Sequence, residues 1–236
     1  MLFLPLDLAA LAWFVFSWLI YNWLLEFSRW KKHTLSHAMD AYRREWMLSM
    51  LGRPLRMIDA QIMSGLQQGT SFFASTSLLA LGACFGLLNA TDLALEVYAD
   101  LPISIETTRQ QWEIKALGLM LIAAYAFFKF GWSYRLFNYC SIMVGAVPND
   151  EKAPSEQARE MARRAGELNV LAGRHFSRGQ RAFFFSVGFL CWFAGPIPFI
   201  AGTTCVLAVL LRRQFLSHAH DAVTAAIAPG APRAPS

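Results

Sequence analysis

Apolar and polar residues follow each other along this chain in blocks, not residue by residue. Four blocks are long and apolar enough to cross a bilayer, at about residues 6–25, 70–88, 116–147 and 183–211. Some 20 apolar residues rising ~1.5 Å each match a hydrocarbon core ~30 Å thick. The first block carries Trp13, Trp18, Tyr21 and Trp23, the last two suited to a membrane interface. The third is longer than a bilayer requires, so its final third is expected to stand in the interface. The fourth contains Gly195, Pro196 and Pro198.

Between these blocks the pattern becomes amphipathic. Leu35, Met39, Tyr42, Trp46 and Met50 recur at helical spacing, and Gly52 and Pro54 close that helix. Leu55, Ile58, Ile62 and Leu66 open a second stripe expected to continue into the second span. Pro148–Pro154 reads as a turn-rich linker. Ser155–Ala172 reads as an amphipathic helix with Met161, Ala165, Leu168 and Ala172 on one face. Its pairs Glu160/Arg164 and Arg163/Glu167 are each worth only ~0.2–0.5 kcal/mol. The Ala- and Pro-rich tail from Ala225 reads as disordered. The fold class expected is all-α: a four-helix transmembrane domain over residues 1–216, then a C-terminal region 217–236. The chain shows no internal repeat, so an inverted-repeat transporter gains no support.

Composition agrees with this reading. Of 236 residues 56% are hydrophobic and 16% charged, against ~25% charged in soluble domains. The net charge of +5 resides in the connections, which fits lipid head groups better than nucleic acid. Residues 26–69 and 148–182 each hold seven Lys or Arg; residues 89–115 hold two, with five acids. The positive-inside rule therefore places the first and third connections in the cytoplasm and both termini outside. Arg212 and Arg213, after the last span, pull the other way. The expected location is the bacterial cytoplasmic (inner) membrane, crossed several times. The N-terminal segment has no basic region and no evident cleavage site, and reads as a retained helix. Cys84, Cys140, Cys191 and Cys205 lie in or beside apolar spans without metal-ligand spacing, and read as small buried hydrophobes.

Three stretches carry a family resemblance: Arg44-Glu45-Trp46-Met47-Leu48-Ser49-Met50, Arg135-Leu136-Phe137-Asn138, and Arg181 through Trp192-Phe193-Ala194-Gly195-Pro196. In combination they resemble the domain-of-unknown-function 599 family of small polytopic membrane proteins. The resemblance covers most of the chain, implies four spans, and supplies no activity.

Several residues stand out in an apolar setting. Lys129 is the fourteenth residue of a span entering at Ala116, and Arg135 lies about 9 Å further along at ~1.5 Å per residue. A charge near the bilayer centre costs ~2.5–3.5 kcal/mol, so Lys129 either snorkels or faces protein or water. Arg135 is placed to snorkel. Gly195-Pro196-Ile197-Pro198 interrupts the fourth span, freeing the carbonyls of Trp192 and Ala194 from helical partners. That break is either a packed proline kink or the discontinuous-helix device of ion and substrate sites. The second span has a small, polar stripe of Gln68, Ser71, Ser75, Gly82 and Gly86, suited to packing within the chain or to oligomerisation. His33, His37 and Asp40 share a helical face at zinc-compatible spacing but lack a further strong ligand, and His218 and His220 fall across the membrane in this topology.

No nucleophile motif, phosphate loop or paired catalytic carboxylates occur in the sequence. The chain is accordingly read as a non-enzyme without cofactor or metal. Its expected role is a structural or accessory membrane protein associating with itself or with other membrane proteins. The alternative is an oligomeric channel or transporter for an ion or small solute, with Lys129, Arg135, Trp192, Gly195, Pro196 and Pro198 as its candidate binding residues.

Overall fold

A computed structural model of the chain describes residues 4–99, 107–148 and 154–224. Its helices are α1 (Pro5–Glu26), α2 (Leu35–Ser49), α3 (Met57–Asn89), α4 (Thr91–Ala99), α5 (Arg109–Ala146), α6 (Glu156–Leu190), α7 (Pro196–Phe215) and α8 (His218–Thr224). There is no strand among the described residues. Helices α1, α3 and α5 and the stretch Pro196–Val223 are long and apolar enough to cross a membrane. The all-α, four-span class expected from the blocks is therefore the observed one. Most of the Pro148–Pro154 linker and the tail from Ala225 lie outside the described residues.

Local chemistry explains where the helices begin. Thr34 accepts a hydrogen bond from the His37 N–H and starts α2. Thr108 and Gln111 form a reciprocal capping box that starts α5, and the Ser155 hydroxyl accepts from the Ala158 N–H to start α6. The far end of α5 is held by Arg56, whose guanidinium donates to the carbonyls of Val144, Val147 and Pro148 at 3.0, 2.7 and 3.0 Å. A cation on the last carbonyls of a helix supplies the partners that the helix itself cannot.

Helices α3, α5 and α6 run antiparallel in sequence and extend well past the spanning sections. Along α5 and α6 the partners descend in register: Lys115 meets Trp192, Phe130 meets Gly179, Ser133 meets Ala172, and Cys140 meets Ala165. Two glycines make that contact possible. A Cβ on Gly118 would lie 2.6 Å from Phe189, and one on Gly179 would lie 2.7 Å from Phe130. Each ring occupies the space that the facing residue leaves.

Two cores are stacked along these long helices. In the spanning section Phe14, Phe185, Phe189, Trp192 and Phe199 interlock, with Trp192 stacked on Phe199 at 5.0 Å. Beyond it, α2 closes a second core of Met47, Met50, Met63, Phe137, Cys140 and Ala165. Of the stripes expected at Leu35–Met50 and Ser155–Ala172, Trp46 and Met50 and then Met161, Ala165, Leu168 and Ala172 join that second core. Met39 and Tyr42 are exposed, and Met47, outside the stripe, is buried in their place.

The fourth block is not a single helix. Residues 183–190 finish α6, Cys191–Ala194 tighten into a 3-10 turn, and Gly195 turns the chain at φ 116°, ψ 173°. That conformation is essentially restricted to glycine. Pro196 is the first residue of α7 and Pro198 lies in the same first turn, where an N–H has no intrahelical acceptor. The prolines therefore start a helix instead of kinking one.

The reversal changes the topology. Helix α7 runs back along α6, with Gly188 against the Thr203 backbone and the Arg213 guanidinium 5.4 Å from the centre of the Phe184 ring. It runs parallel to α1, with the Trp13 indole N–H donating to Thr204 at 3.1 Å and the Tyr21 hydroxyl donating to the Leu210 carbonyl at 3.3 Å. The end of α7 and helix α8 then pack on α2 and the turn before it: Gln214 of α7 donates to Ser36 at 2.7 Å, His220 Nε2 lies 2.8 Å from the His33 carbonyl oxygen, and the Tyr42 hydroxyl donates to the Val223 carbonyl at 3.5 Å. His220 is thus beside His33, not across the membrane from it. The region beginning at residue 217 opens with a packed helix. Asp40, on the histidine face, is paired with Arg174 at 2.9 Å. Cys84 and Cys140 are buried, whereas Cys205 faces outward.

Two measurements follow from this hairpin. With the four native cysteines replaced by alanine, Ser36→Cys combined with Gln214→Cys should be joined within one chain by a short bis-maleimide. A single uninterrupted 183–211 span would hold the two thiols on opposite sides and prevent that link. Gly195→Ala should lower stability by about 1–3 kcal/mol, since alanine is strained at this φ; an unchanged melting temperature would contradict the turn.

Candidate functional site

Charged residues gather in two layers, one at each end of the spanning section. Asp7 and Glu26 mark them on α1, 19 residues apart, or about 28 Å at ~1.5 Å per residue. The same layers lie 14 residues apart on α5 and along α6 with the turn after it, about 21 Å at ~1.5 Å per residue, so their separation is somewhat less than the ~30 Å of a hydrocarbon core.

At the layer away from α2, the Trp192 indole N–H donates to Asp7 Oδ1 at 2.8 Å. The Trp192 carbonyl, freed by the helix break, accepts from Lys115 Nζ at 3.0 Å and from the Gly195 N–H at 3.0 Å. Asp7, Lys115 and Trp192 are all buried. A lysine on α5 and an aspartate on α1 thus pin the reversal between α6 and α7. Tyr98 of α4 adds a hydrogen bond to the Phe193 carbonyl at 3.1 Å.

At the layer facing α2, Arg178 donates through Nε and Nη2 to the two oxygens of Glu26 at 2.8 and 2.6 Å. Arg181 donates to Glu26 Oε1 at 2.9 Å. The planar guanidinium fork suits this two-point contact. A recess opens on each side of the Glu26–Arg178 pair. The larger, about 510 Å³, lies between the ends of α1 and α7, the turn before α2, and α6. The smaller, about 380 Å³, is lined by Trp18, Asn22, Tyr125 and Lys129.

The residues singled out from sequence do not form one site. Lys129 sits with its ammonium 5.1 Å from the centre of the Tyr125 ring, in the layer of Glu26 and Arg178. It is thus at the edge of the apolar section, on the wall of the smaller recess. Arg135 lies further along α5, exposed, donating to the Tyr139 hydroxyl at 2.7 Å. Trp192, Gly195, Pro196 and Pro198 belong to the opposite layer. Lys115, level with Trp192, is 14 residues from Lys129, about 21 Å along α5 at ~1.5 Å per residue.

Gln68, Ser71, Ser75, Gly82 and Gly86 all face out of the bundle on α3. A Cβ at Gly82 or Gly86, or at Gly65 or Gly69 on the same helix, would meet nothing within 4 Å. Packing among the described helices does not use this stripe.

Asp7, Glu26, Lys115, Arg178 and Arg181 do not stand out as site residues in the sequence. A signal was present. Arg178 and Arg181, at i and i+3, directly precede the apolar run 182–194, and Glu26 directly follows the first span. Opposite charges at matching ends of apolar runs are candidates for pairing across helices.

Four membrane-length helices, charged layers at both ends and an aromatic core between them define a polytopic helical membrane protein. Residues 9–219 match the family described as "Protein of unknown function, DUF599". The chain belongs to that family, as the resemblance in its Arg44–Met50, Arg135–Asn138 and Arg181–Pro196 stretches implied. No curated protein and no solved structure matches it.

The two lysines should respond differently to removal of charge. Lys115→Met takes a charged partner from a buried carbonyl and should cost about 1–3 kcal/mol. Lys129→Met, losing a contact at the edge of the apolar section, should change stability by less than about 1 kcal/mol. Thermal unfolding in detergent would measure both; the reverse ranking would contradict these placements.

Proposed function

We propose that this chain is a structural or accessory protein of the bacterial inner membrane, associating laterally through the outward face of α3. The observation that carries this reading is the stripe of Ser71, Ser75, Gly82 and Gly86, exposed and unused by the rest of the chain. Without a hydrophobic driving force inside lipid, helices associate where small residues let backbones approach and pack closely. The occupant favoured is a second copy of the chain, because a stripe running from Gln68 to Gly86 along one helix can pair with itself about a two-fold axis.

In this reading α2, the first half of α6 and α8 face the cytoplasm. The reversal at Gly195 supports that orientation, since Arg212 and Arg213 join the Lys- and Arg-rich connections on the α2 side. The conflict that these two arginines pose for a single fourth span disappears. Conduction through one copy is disfavoured by the interlocked rings of Phe14, Phe185, Phe189 and Phe199 between the charged layers.

Gly82→Leu and Gly86→Leu test the proposal. Neither side chain meets another part of the chain, so each monomer should keep its thermal stability while the native mass of the detergent-purified assembly falls toward one copy. A wild-type chain that is monomeric and retains no membrane partner would overturn the reading. So would leucine variants with unchanged mass. Loss of a different co-purifying membrane protein would transfer the α3 face to that partner.

A further inference from the structure

The larger recess has a composition that the rest of the surface does not require. Six cationic side chains line it: Lys31, Arg43, Arg174, Arg178, Arg181 and Arg213. Only two carboxylates, Glu26 and Asp40, face them. Both are committed, Glu26 to Arg178 and Arg181, and Asp40 to Arg174. Among the described residues, no carboxylate lies within 4.0 Å of a charged nitrogen of Lys31, Arg43 or Arg213.

Arg181 is the most telling member. It is 8% exposed, and its buried Nε has no hydrogen-bond acceptor. The buried Nδ1 of His37, on another wall of the same recess, is unpartnered too. A buried N–H without an acceptor is costly, and excess positive charge facing it makes an anion the natural complement.

The other walls are apolar. Leu25, Phe184 and Leu210 line the recess from the ends of the membrane-spanning sections of α1, α6 and α7. A ligand there meets guanidinium groups on one side and hydrocarbon on the other. That combination selects an amphiphile with an anionic head. The volume, about 510 Å³, equals that of roughly 17 waters at ~30 Å³ each. It can take a head group, while acyl chains stay in the bilayer.

We propose that this recess binds the phosphate head group of an anionic phospholipid from the leaflet on the α2 side. Arg181, Arg213 and Lys31 contact the phosphate oxygens, and the acyl chains leave past Phe184 and Leu210. Basic pockets between membrane helices recognise such head groups through charge and through the match of guanidinium to phosphate. Arg178 positions Arg181 by holding Glu26, and Arg43 adds charge from α2.

The test uses the full chain purified in detergent, with lipid binding read by native mass and by melting temperature. The probes are short-chain phosphatidic acid, phosphatidylglycerol, phosphatidylcholine and water-soluble glycerol 3-phosphate. Both anionic lipids should remain bound and raise the melting temperature, phosphatidylcholine should not, and glycerol 3-phosphate should bind at least tenfold more weakly. Lys31→Gln and Arg213→Gln remove side chains outside any ion pair, so the fold should persist while affinity for phosphatidic acid falls at least tenfold. Arg159→Gln, an exposed change elsewhere on α6, should leave affinity unaltered. Equal binding of phosphatidylcholine, or undiminished affinity in both charge variants, would overturn the site. Glycerol 3-phosphate binding as tightly as the lipids would overturn the lipid and leave a soluble phosphate ester as the ligand. These readouts do not depend on the α3 face.

Discussion

Helix α6 has to pass from water into hydrocarbon without a break, and it takes two arginines to the boundary. Its first half is polar enough to cap the second core, while its last residues, from Ala182, are apolar, with Ala182, Phe185 and Phe189 buried among rings. Arg178 and Arg181 stand at the change. An isolated guanidinium there is expensive to bury, and α1 ends at that level with a carboxylate. The pairing of Glu26 with both arginines fixes how deeply α6 enters relative to α1. The order of the layers, the reach of the hairpin and the level of Lys129 follow from that depth.

At the far layer the constraint is a chain reversal in lipid. A turn inside hydrocarbon exposes carbonyls that water cannot satisfy. Here the turn lies next to Asp7 and Lys115, and the Trp192 carbonyl receives both a backbone N–H and an ammonium. Both buried charges have a partner on the same residue: Asp7 accepts from the Trp192 indole N–H and Lys115 donates to the Trp192 carbonyl. Because the turn is satisfied, α7 can return beside α1 and bring α8 to α2. One glycine with positive φ therefore sets the direction in which α7 runs.

Much of this fold was legible in the sequence because hydrophobic period and block length report directly on lipid and on helix. The spans, the helix from Leu35 and the helix from Ser155 were readable that way, although the buried face of the first passes through Met47 and not through Met39 and Tyr42. The hairpin was not. An apolar block of 29 residues looks the same whether it is one tilted helix or the end of one helix joined to the start of another. Only the pairing of Gly-Pro with a preceding helix already 26 residues long at residue 181 distinguishes them. The charged layers were hidden for a related reason. Asp7 and Glu26 are single charges at the ends of a span, and what gives them meaning is the neighbour brought by another helix. The α3 stripe was visible as a pattern, but whether it faced protein or lipid depended on which side of α3 meets α5.

The central claim is that Glu26 and Arg178 act as a unit that sets the depth of α6. A double-mutant cycle of Glu26→Gln, Arg178→Gln and the pair, read by thermal or denaturant unfolding in one detergent, tests it directly. Glu26→Gln alone should cost about 2 kcal/mol or more, allowing for the partial exposure of both side chains, because it leaves two guanidinium groups without their carboxylate. The double variant should cost less than the sum of the singles by at least ~1 kcal/mol. Costs that add to within ~0.5 kcal/mol would mean that the two residues do not couple, and would contradict the account.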